Sequence, residues 1–391
     1  MYKIVIISLF SLSLLSCGGA KGEISELTND AKESVKKEIA KEKAHLNFED
    51  NETCKACHPT IFDEYSGSMH ANASIFDDPV HAAVWSQHPK NKKMKQYVCA
   101  KCHTPAADNF ELLMKKGAEM VPDSTNKTQL NGVSCAYCHR IEGVKAGEKT
   151  NTNLIAGNNK EYFGNILDHE TAGFHTMKSD NKLFQNGNVC IGCHSHKQNK
   201  AKLLVCTTEI KNTEEENCIT CHMPKMDGTV AIGSESKKHS FHSFPGTHNH
   251  PEMLAKYIDL AIEKKGAEIL VTMKNNASHA MLLHPMRLGL LKVSVEGKNG
   301  KVANLEPVKF ARVLGKDGKP ASPWVADTVI KNTVLQGNEE KTFTFDYKLN
   351  KDDKVNIVLG YYLVNPKMLK GLGLENNKEI TKFYTLKTLS E

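Results

Sequence analysis

Cys54-Lys55-Ala56-Cys57-His58 is the stretch on which the reading turns, because the CxxCH pentapeptide recurs four more times. The other copies are Cys99-Ala100-Lys101-Cys102-His103, Cys135-Ala136-Tyr137-Cys138-His139, Cys190-Ile191-Gly192-Cys193-His194 and Cys218-Ile219-Thr220-Cys221-His222. Two cysteines three apart share one face of a helical turn, so their thiols can reach the two vinyl groups of one haem. The histidine that follows then reaches the iron as proximal ligand, which makes the pentapeptide a c-type haem attachment site. At this chain's Cys and His frequencies, chance would supply about 0.02 such pentapeptides. A zinc site or a thioredoxin-like redox pair needs the CxxC but not a histidine after every copy. The expected cofactor is therefore haem c, five copies, covalently bound.

The remaining cysteines are Cys17 and Cys206. Cys17 ends a leader with Lys3 as its positive start and Ile4 to Leu15 as its apolar run, too short to span a bilayer as a retained helix. Leu14-Leu15-Ser16-Cys17 followed by Gly18-Gly19 is similar to a bacterial lipobox, which implies a signal peptide over 1–16 and a lipid on Cys17. Multiple acyl chains would anchor the chain stably to a membrane. Gly18, where an Asp retains some lipoproteins at the inner membrane, points to the outer membrane, on its periplasmic or cell-surface face. Cys206 reads as a buried apolar thiol, with a reactive thiol or an unusual iron ligand as the other readings.

The formal charge of +6 is no argument for a nucleic-acid partner. Removal of Lys3 leaves 50 basic residues against 45 acidic, and ten haem propionates would bring the total to about −5.

Three regions follow the leader. Residues 17–48 are rich in Lys, Glu and Ala and read as a charged, lipid-anchored tether. Residues 49–265 hold every CxxCH motif and a His-rich connector. Short helices and turns dominate there, and the apolar density of an ordinary core is missing; porphyrins would supply it. Apolar Met253, Leu254, Tyr257, Ile258 and Ile262 predict a helix from Pro251 to Lys265. Residues 266–391 lack Cys and alternate with period two, as in Glu268 to Met273, Leu290 to Val295, Thr342 to Tyr347 and Val355 to Leu363. Gly297-Lys298-Asn299-Gly300 and Lys316-Asp317-Gly318-Lys319 are turn signals. The fold class is mixed: a mostly irregular and α region organised around five haems, then an all-β sandwich of the immunoglobulin-like type.

Each iron needs a second axial ligand or deliberately lacks one. Thirteen of the 18 histidines remain after the proximal five, so bis-His ligation is the default expectation. It also predicts lower potentials than His/Met ligation.

Here the sequence resembles the cytochrome c-554 family of multihaem electron carriers. Cys54 to Ile61 followed by Tyr65, Ser68 and His70 resembles the family's CxxCHPxI, aromatic, S-x-H pattern. Phe174-His175, the CxxCHMP signature from Cys218 to Pro224, the segment His242 to His248, and Asn276-Ala277-Ser278-His279 with Arg287 and Leu288 are similar to further family segments. Ser278 and His284-Pro285 depart from the usual pattern. The resemblance implies His70, His175, His242, His248 and His279 as distal ligands, with His81, His88, His239 and His250 in reserve.

Function divides into two readings. The first is an electron carrier in a respiratory chain, its haems packed as a wire between a quinol-side donor cytochrome and a downstream acceptor or reductase. The second is a haem oxidoreductase acting on a small nitrogen or sulfur compound at one open-site haem. Every motif here ends in His, unlike the CxxCK site of pentahaem nitrite reductases, and this favours the carrier.

Overall fold

The computed structural model describes residues 47–391 except 167–173, 209, 211, 214 and 283. The leader, Cys17 and nearly all of the tether lie outside the described residues.

From residue 47 to about 257 the chain is a series of short elements. Its longest helix, Pro79–Gln87, has nine residues. Asp78 starts that helix by accepting hydrogen bonds from the Val80 and His81 N–H groups, with Pro at the first turn. Such short helices depend on tertiary packing for stability. The packing is divided among small clusters: Trp85, Tyr97 and Leu113 form one, and Tyr137, Ile141, Phe163, Phe184 and Ile219 form another. Arg140 is fully buried and spans the second, donating to the Asn47 and Ala156 carbonyls at 2.7 Å each.

Beyond residue 257 the chain is β-rich. Glu268–Asn275 lies between Ile258–Lys265 and Glu340–Asp346 in one antiparallel sheet. A second antiparallel sheet orders Val302–Asn304, Leu288–Glu296, Lys354–Tyr362 and Phe383–Ser390, and Val308–Phe310 also pairs with Leu288–Glu296. A third, small sheet has Arg312–Lys316 between Lys319–Pro320 and Thr328–Asn332. The first two sheets share one core. Ile269, Val271, Met273 and Phe345 of the first meet Leu291, Val293, Val295, Val355, Ile357 and Leu359 of the second. Each such buried side chain contributes about 1.5–3 kcal/mol relative to exposure. This is the conventional core that the first half lacks.

The turn signals hold. Lys316 pairs with Lys319 across Asp317 and Gly318, both with positive φ, 51° and 71°, the geometry of a type I′ hairpin. The helix expected from Pro251 to Lys265 does not form as such. Helix covers only Pro251–Leu254, a 3₁₀ turn covers Ala255–Tyr257, and Ile258–Lys265 is a strand. Ile258, Leu260 and Ile262 also alternate with period two. Gly266, with φ of 62°, turns the chain so that Lys265 pairs with Glu268. The sheet partner settles a pattern that both periods fit.

The β-rich region is fastened to the first region by several bonds. Arg312 donates to the Val205 and Leu204 carbonyls at 2.9 and 2.6 Å. Asn199 donates to the Pro323 and Ala326 carbonyls at 2.7 Å each. Tyr361 donates to the Thr247 carbonyl at 2.7 Å. Ala83, on the Pro79–Gln87 helix, packs with Met286, Tyr361 and Leu363.

Candidate haem-binding sites

Each motif lies on or beside a short helical turn, and side chains cap the turns of the first, third and fifth. Ser134 accepts from the Tyr137 N–H at the third motif. Asn217 and Thr220 form a capping box at the fifth. Gly192, inside the fourth motif, is needed for close packing: a Cβ there would lie 1.6 Å from Asn153 Oδ1. None of the ten motif cysteines is paired in a disulfide, so each sulfur is available for a thioether bond.

Four of the five motif histidines are oriented alike. Nδ1 of His58 faces the Val230 carbonyl at 2.6 Å, His103 the Ala73 carbonyl at 3.0 Å, His139 the Phe163 carbonyl at 2.6 Å and His222 the Pro245 carbonyl at 2.6 Å. A carbonyl accepts, so Nδ1 carries the proton and Nε2 keeps its lone pair for a metal. Burial holds His103 down to about 3 and also lowers His139, His194 and His222. The rings are thus neutral, the form that binds iron.

Four motif histidines face a second imidazole. Ring centroids are 6.1 Å apart for His58 and His175, 6.2 Å for His139 and His242, 6.2 Å for His222 and His279, and 5.8 Å for His194 and His70. The first three pairs are within 23° of parallel. Two imidazoles trans on one metal, each with a metal–nitrogen bond of about 2 Å, place their centroids roughly 6 Å apart. The pairs therefore fit an iron between them. Nδ1 of His242 faces the Ser240 carbonyl at 2.6 Å and that of His279 the Ala280 carbonyl at 2.9 Å, again leaving Nε2 free. Among the described residues no group of three or more His, Cys, Asp or Glu converges as a metal cage would require. Paired imidazoles beside paired thiols suit a haem instead.

The positions of these partners are built in. His70 lies just after the Pro59–Ser66 helix, and its carbonyl accepts from Val133 N–H at 2.8 Å. That approach requires Gly132, where a Cβ would come within 2.3 Å of the His70 oxygen and φ is 56°. Glu64 holds the His242 loop. Its Oε2 accepts from His242 N–H at 2.9 Å and its Oε1 from His239 Nε2 at 2.7 Å. His239 is only 1% exposed. Nothing in the sequence marks Glu64, which lies on a helix among ordinary neighbours.

His103 is different. The ring near it is His81, at 4.0 Å, and both turn Nδ1 towards the same Ala73 carbonyl, at 3.0 and 3.4 Å. His81 flanks His103 and points Nε2 at Tyr97 Oη, 3.3 Å away. At 4.0 Å the two rings are too close to stand trans on one iron. His248, expected as a distal ligand, faces no motif histidine at ligating spacing; it lies beside Arg287 and Asp78. Of the reserves, His88 stacks on Trp85 at 5.7 Å, His239 pairs with Glu64, and His250 pairs with Glu252 at 3.1 Å. Cys206 is held protonated by burial, and Arg287, Arg312 and Lys197 oppose that shift.

The motifs are also mutual neighbours. The Cys54 and Cys135 thiols are hydrogen-bonding neighbours, as are Cys102 with Cys193 and Cys190 with Cys218. Cys138 lies within electrostatic reach of both Cys190 and Cys193. Phe244 packs edge-on against His70 at 4.2 Å and His242 at 6.0 Å.

Residues 53–140 match the family model described as cytochrome c554 and c-prime. No curated protein sequence matches the chain significantly. Among solved structures, a penta-haem cytochrome c552 from Thermochromatium tepidum superposes with a TM-score of 0.70 at 22% identity, covering 88% of this chain and 99% of that one. The E. coli curli protein CsgC (TM-score 0.16, 11% identity, 27% of this chain, 82% of that one) and a superoxide reductase from Nanoarchaeum equitans (0.17, 13%, 27%, 81%) overlap too little to bear on the argument. The CxxCH turns, the paired imidazoles, the family match over the first three motifs and the fold shared with a penta-haem cytochrome make the chain similar to the multihaem c-type cytochromes of the cytochrome c554 family.

Proposed function

We propose that this cytochrome carries five haems and passes electrons along them, as a lipid-anchored member of a respiratory chain at the outer membrane. Four haems are bis-His: His58 with His175, His139 with His242, His194 with His70, and His222 with His279. The observation that carries the reading is the set of four imidazole pairs at 5.8–6.2 Å. The neighbouring thiols support one order, in which the first motif adjoins the third, the third lies within electrostatic reach of the fourth, and the fourth adjoins both the second and the fifth, so that the fourth haem is a junction. A donor such as a quinol-side cytochrome and a downstream acceptor or reductase would meet its ends. The two facing sheets support the immunoglobulin-like reading of the β-rich region. By supplying His279, that region would be bonded through iron to the haem region.

One observation favours a second reading at a single site. Among the described residues no imidazole stands opposite His103 at the spacing of the other four pairs, which supports an open or weakly held distal face where a small nitrogen or sulfur compound could bind. Mass spectrometry of the purified protein should show five haems per chain. Electron paramagnetic resonance of the oxidised form should show four low-spin haems and one high-spin haem. Five low-spin haems would remove the second reading; two or more high-spin haems would overturn the ligand assignment.

A further inference from the structure

The chain has two tryptophans, Trp85 and Trp324, and both lie on one row of rings that starts at the second motif. Between ring centroids, His103 is 4.0 Å from His81, His81 is 5.8 Å from Tyr97, and Tyr97 is 5.0 Å from Trp85. Trp85 is 5.7 Å from His88, and His88 is 5.1 Å from Trp324. Such spacings are those of rings in contact, so the row is packed throughout. Tyr97 and Trp85 are buried. The row ends at half-buried Trp324, next to Val325, which is 48% exposed.

The loop that carries Trp324 is held from a second side. Asn199 donates to the Pro323 and Ala326 carbonyls at 2.7 Å each. It lies in the turn between the paired strands His196–Gln198 and Leu204–Thr207, which follow the fourth motif. Gln198 N–H donates to the Lys149 carbonyl at 2.8 Å, and His196 Nε2 faces the Gly147 carbonyl at 2.9 Å. On the side of His88, Lys90 N–H donates to His88 Nδ1 at 3.1 Å, and the helical turn Lys90–Met94 leads towards the second motif.

Residues 90–95, 145–149 and 197–202 are thereby tied to the Trp324 loop, directly or through one another. They carry nine lysines and one acid, Glu148. Lys93, Lys95, Lys149, Lys197 and Lys200 are exposed, and Glu148 is paired with Lys202 at 3.6 Å. Haem propionates do not cancel this excess: the four of the second and fourth haems would still leave about four positive charges.

Resting on the electron-carrier reading above, we propose that the lysine-rimmed surface around Trp324 is where an acidic redox protein docks and exchanges electrons with the second haem. In the order proposed above that haem is an end of the chain, where a partner has to meet it. One electron leaves the reduced partner and reduces one ferric haem to ferrous, and no bond forms or breaks. A small apolar centre with a charged rim suits a brief electron-transfer encounter, in which charge complementarity speeds association. The row of rings fills the space between the docked partner and His103 with packed side chains.

The test uses the oxidised full holoprotein and, as probe, flavodoxin hydroquinone, an acidic protein that gives up one electron at its surface. Stopped-flow absorbance follows haem reduction as ionic strength is varied. The wild-type rate constant should fall roughly tenfold to a hundredfold between about 0.01 M and 1 M salt, as opposite charges are screened. The triple variant Lys149→Glu, Lys197→Glu, Lys200→Glu should lower the low-salt rate by about tenfold or more. The triple variant Lys298→Glu, Lys301→Glu, Lys351→Glu makes the same charge change on exposed lysines of the β-rich region and should stay within about threefold of the wild type. All three rates should converge at high salt, which shows that the haems of the variants still accept electrons. Equal low-salt rates in the two triple variants would overturn the docking surface. Phosphatidylglycerol vesicles that bind the wild type and not the first variant, with flavodoxin rates equal, would overturn it too and turn the lysines towards a membrane. Flavodoxin that reduces only part of the haem absorbance that dithionite reduces would instead overturn the carrier reading, because electrons entering at one haem would not reach the rest.

Discussion

Replacing Glu64 with Ala removes one carboxylate that makes two bonds into the segment carrying His242, a proposed distal ligand. Oε2 accepts the His242 N–H at 2.9 Å and Oε1 the His239 Nε2 at 2.7 Å. His239 is 1% exposed, and its Nδ1 has no partner, so the ring cannot turn to water for compensation. Each buried donor left without a partner costs about 1–3 kcal/mol. Part of that sum is offset because the substitution also removes a partly desolvated carboxylate, leaving about 2–4 kcal/mol. The loss falls on opening of the local loop, so it should appear in hydrogen exchange. The amides of Phe241 to Phe244 should exchange roughly 30-fold to several-hundred-fold faster than in the wild type, since about 1.4 kcal/mol corresponds to a factor of ten. A fraction of the third-motif haem should also become high-spin as His242 disengages. Glu64→Gln, whose amide oxygen can still accept one of the two bonds, should fall between. Exchange in Glu64→Ala within threefold of the wild type, with an unchanged haem spectrum, would refute the claim that Glu64 holds the ligand in place.

Other substitutions separate ligand roles from packing roles. His279→Ala should add one high-spin haem and make the β-rich region more sensitive to protease; an unchanged low-spin count would show that His222 has another partner. Gly132→Ala and Gly192→Ala both introduce close contacts, at 2.3 and 1.6 Å, yet the longer contact should be the more damaging. The Asn153 side chain can swing away at a cost of about 1–3 kcal/mol, whereas the His70 and Ala71 carbonyls cannot and Gly132 also has positive φ. Thermal melts should rank Gly132→Ala below Gly192→Ala, and the reverse order would contradict the structure. Burial raises the Cys206 thiol, so it stays protonated and unreactive at pH 8 and gains thiolate only at higher pH. Maleimide should label no thiol of the folded holoprotein at that pH and one on unfolding.

The haem sites were legible because attachment is a local property: two thiols and an imidazole within five residues need no distant partner to be recognised. The β-rich region was legible for a similar reason, since its alternation and its turns, such as Asp317-Gly318, are local. Two things were not. The segment Ile258–Lys265 fits both a helical and an alternating pattern, and only pairing with Glu268–Asn275 decides between them. The imidazole pairs join residues as distant as His58 and His175, and sequence spacing does not encode that distance. Of the five distal histidines that the family patterns implied, His70, His175, His242 and His279 lie opposite a motif histidine. The fifth, His248, lies beside Arg287 and Asp78 instead.

The loop between the Glu268–Asn275 and Leu288–Glu296 strands explains why the β-rich region belongs to this protein and is more than a cover. It sends His279 opposite His222 and places His284 within electrostatic reach of His103. These are the fifth and second motifs, and both adjoin the fourth. The strands on either side are held in the conventional core, with Met273 and Leu291 both fully buried. The loop therefore has rigid ends, and the first region, whose own core is divided, gains a fixed frame on two sides of the junction. On the proposed ligation the two regions divide the labour: the first strings the cofactors close together and supplies His70, His175 and His242, and the second adds His279 opposite His222.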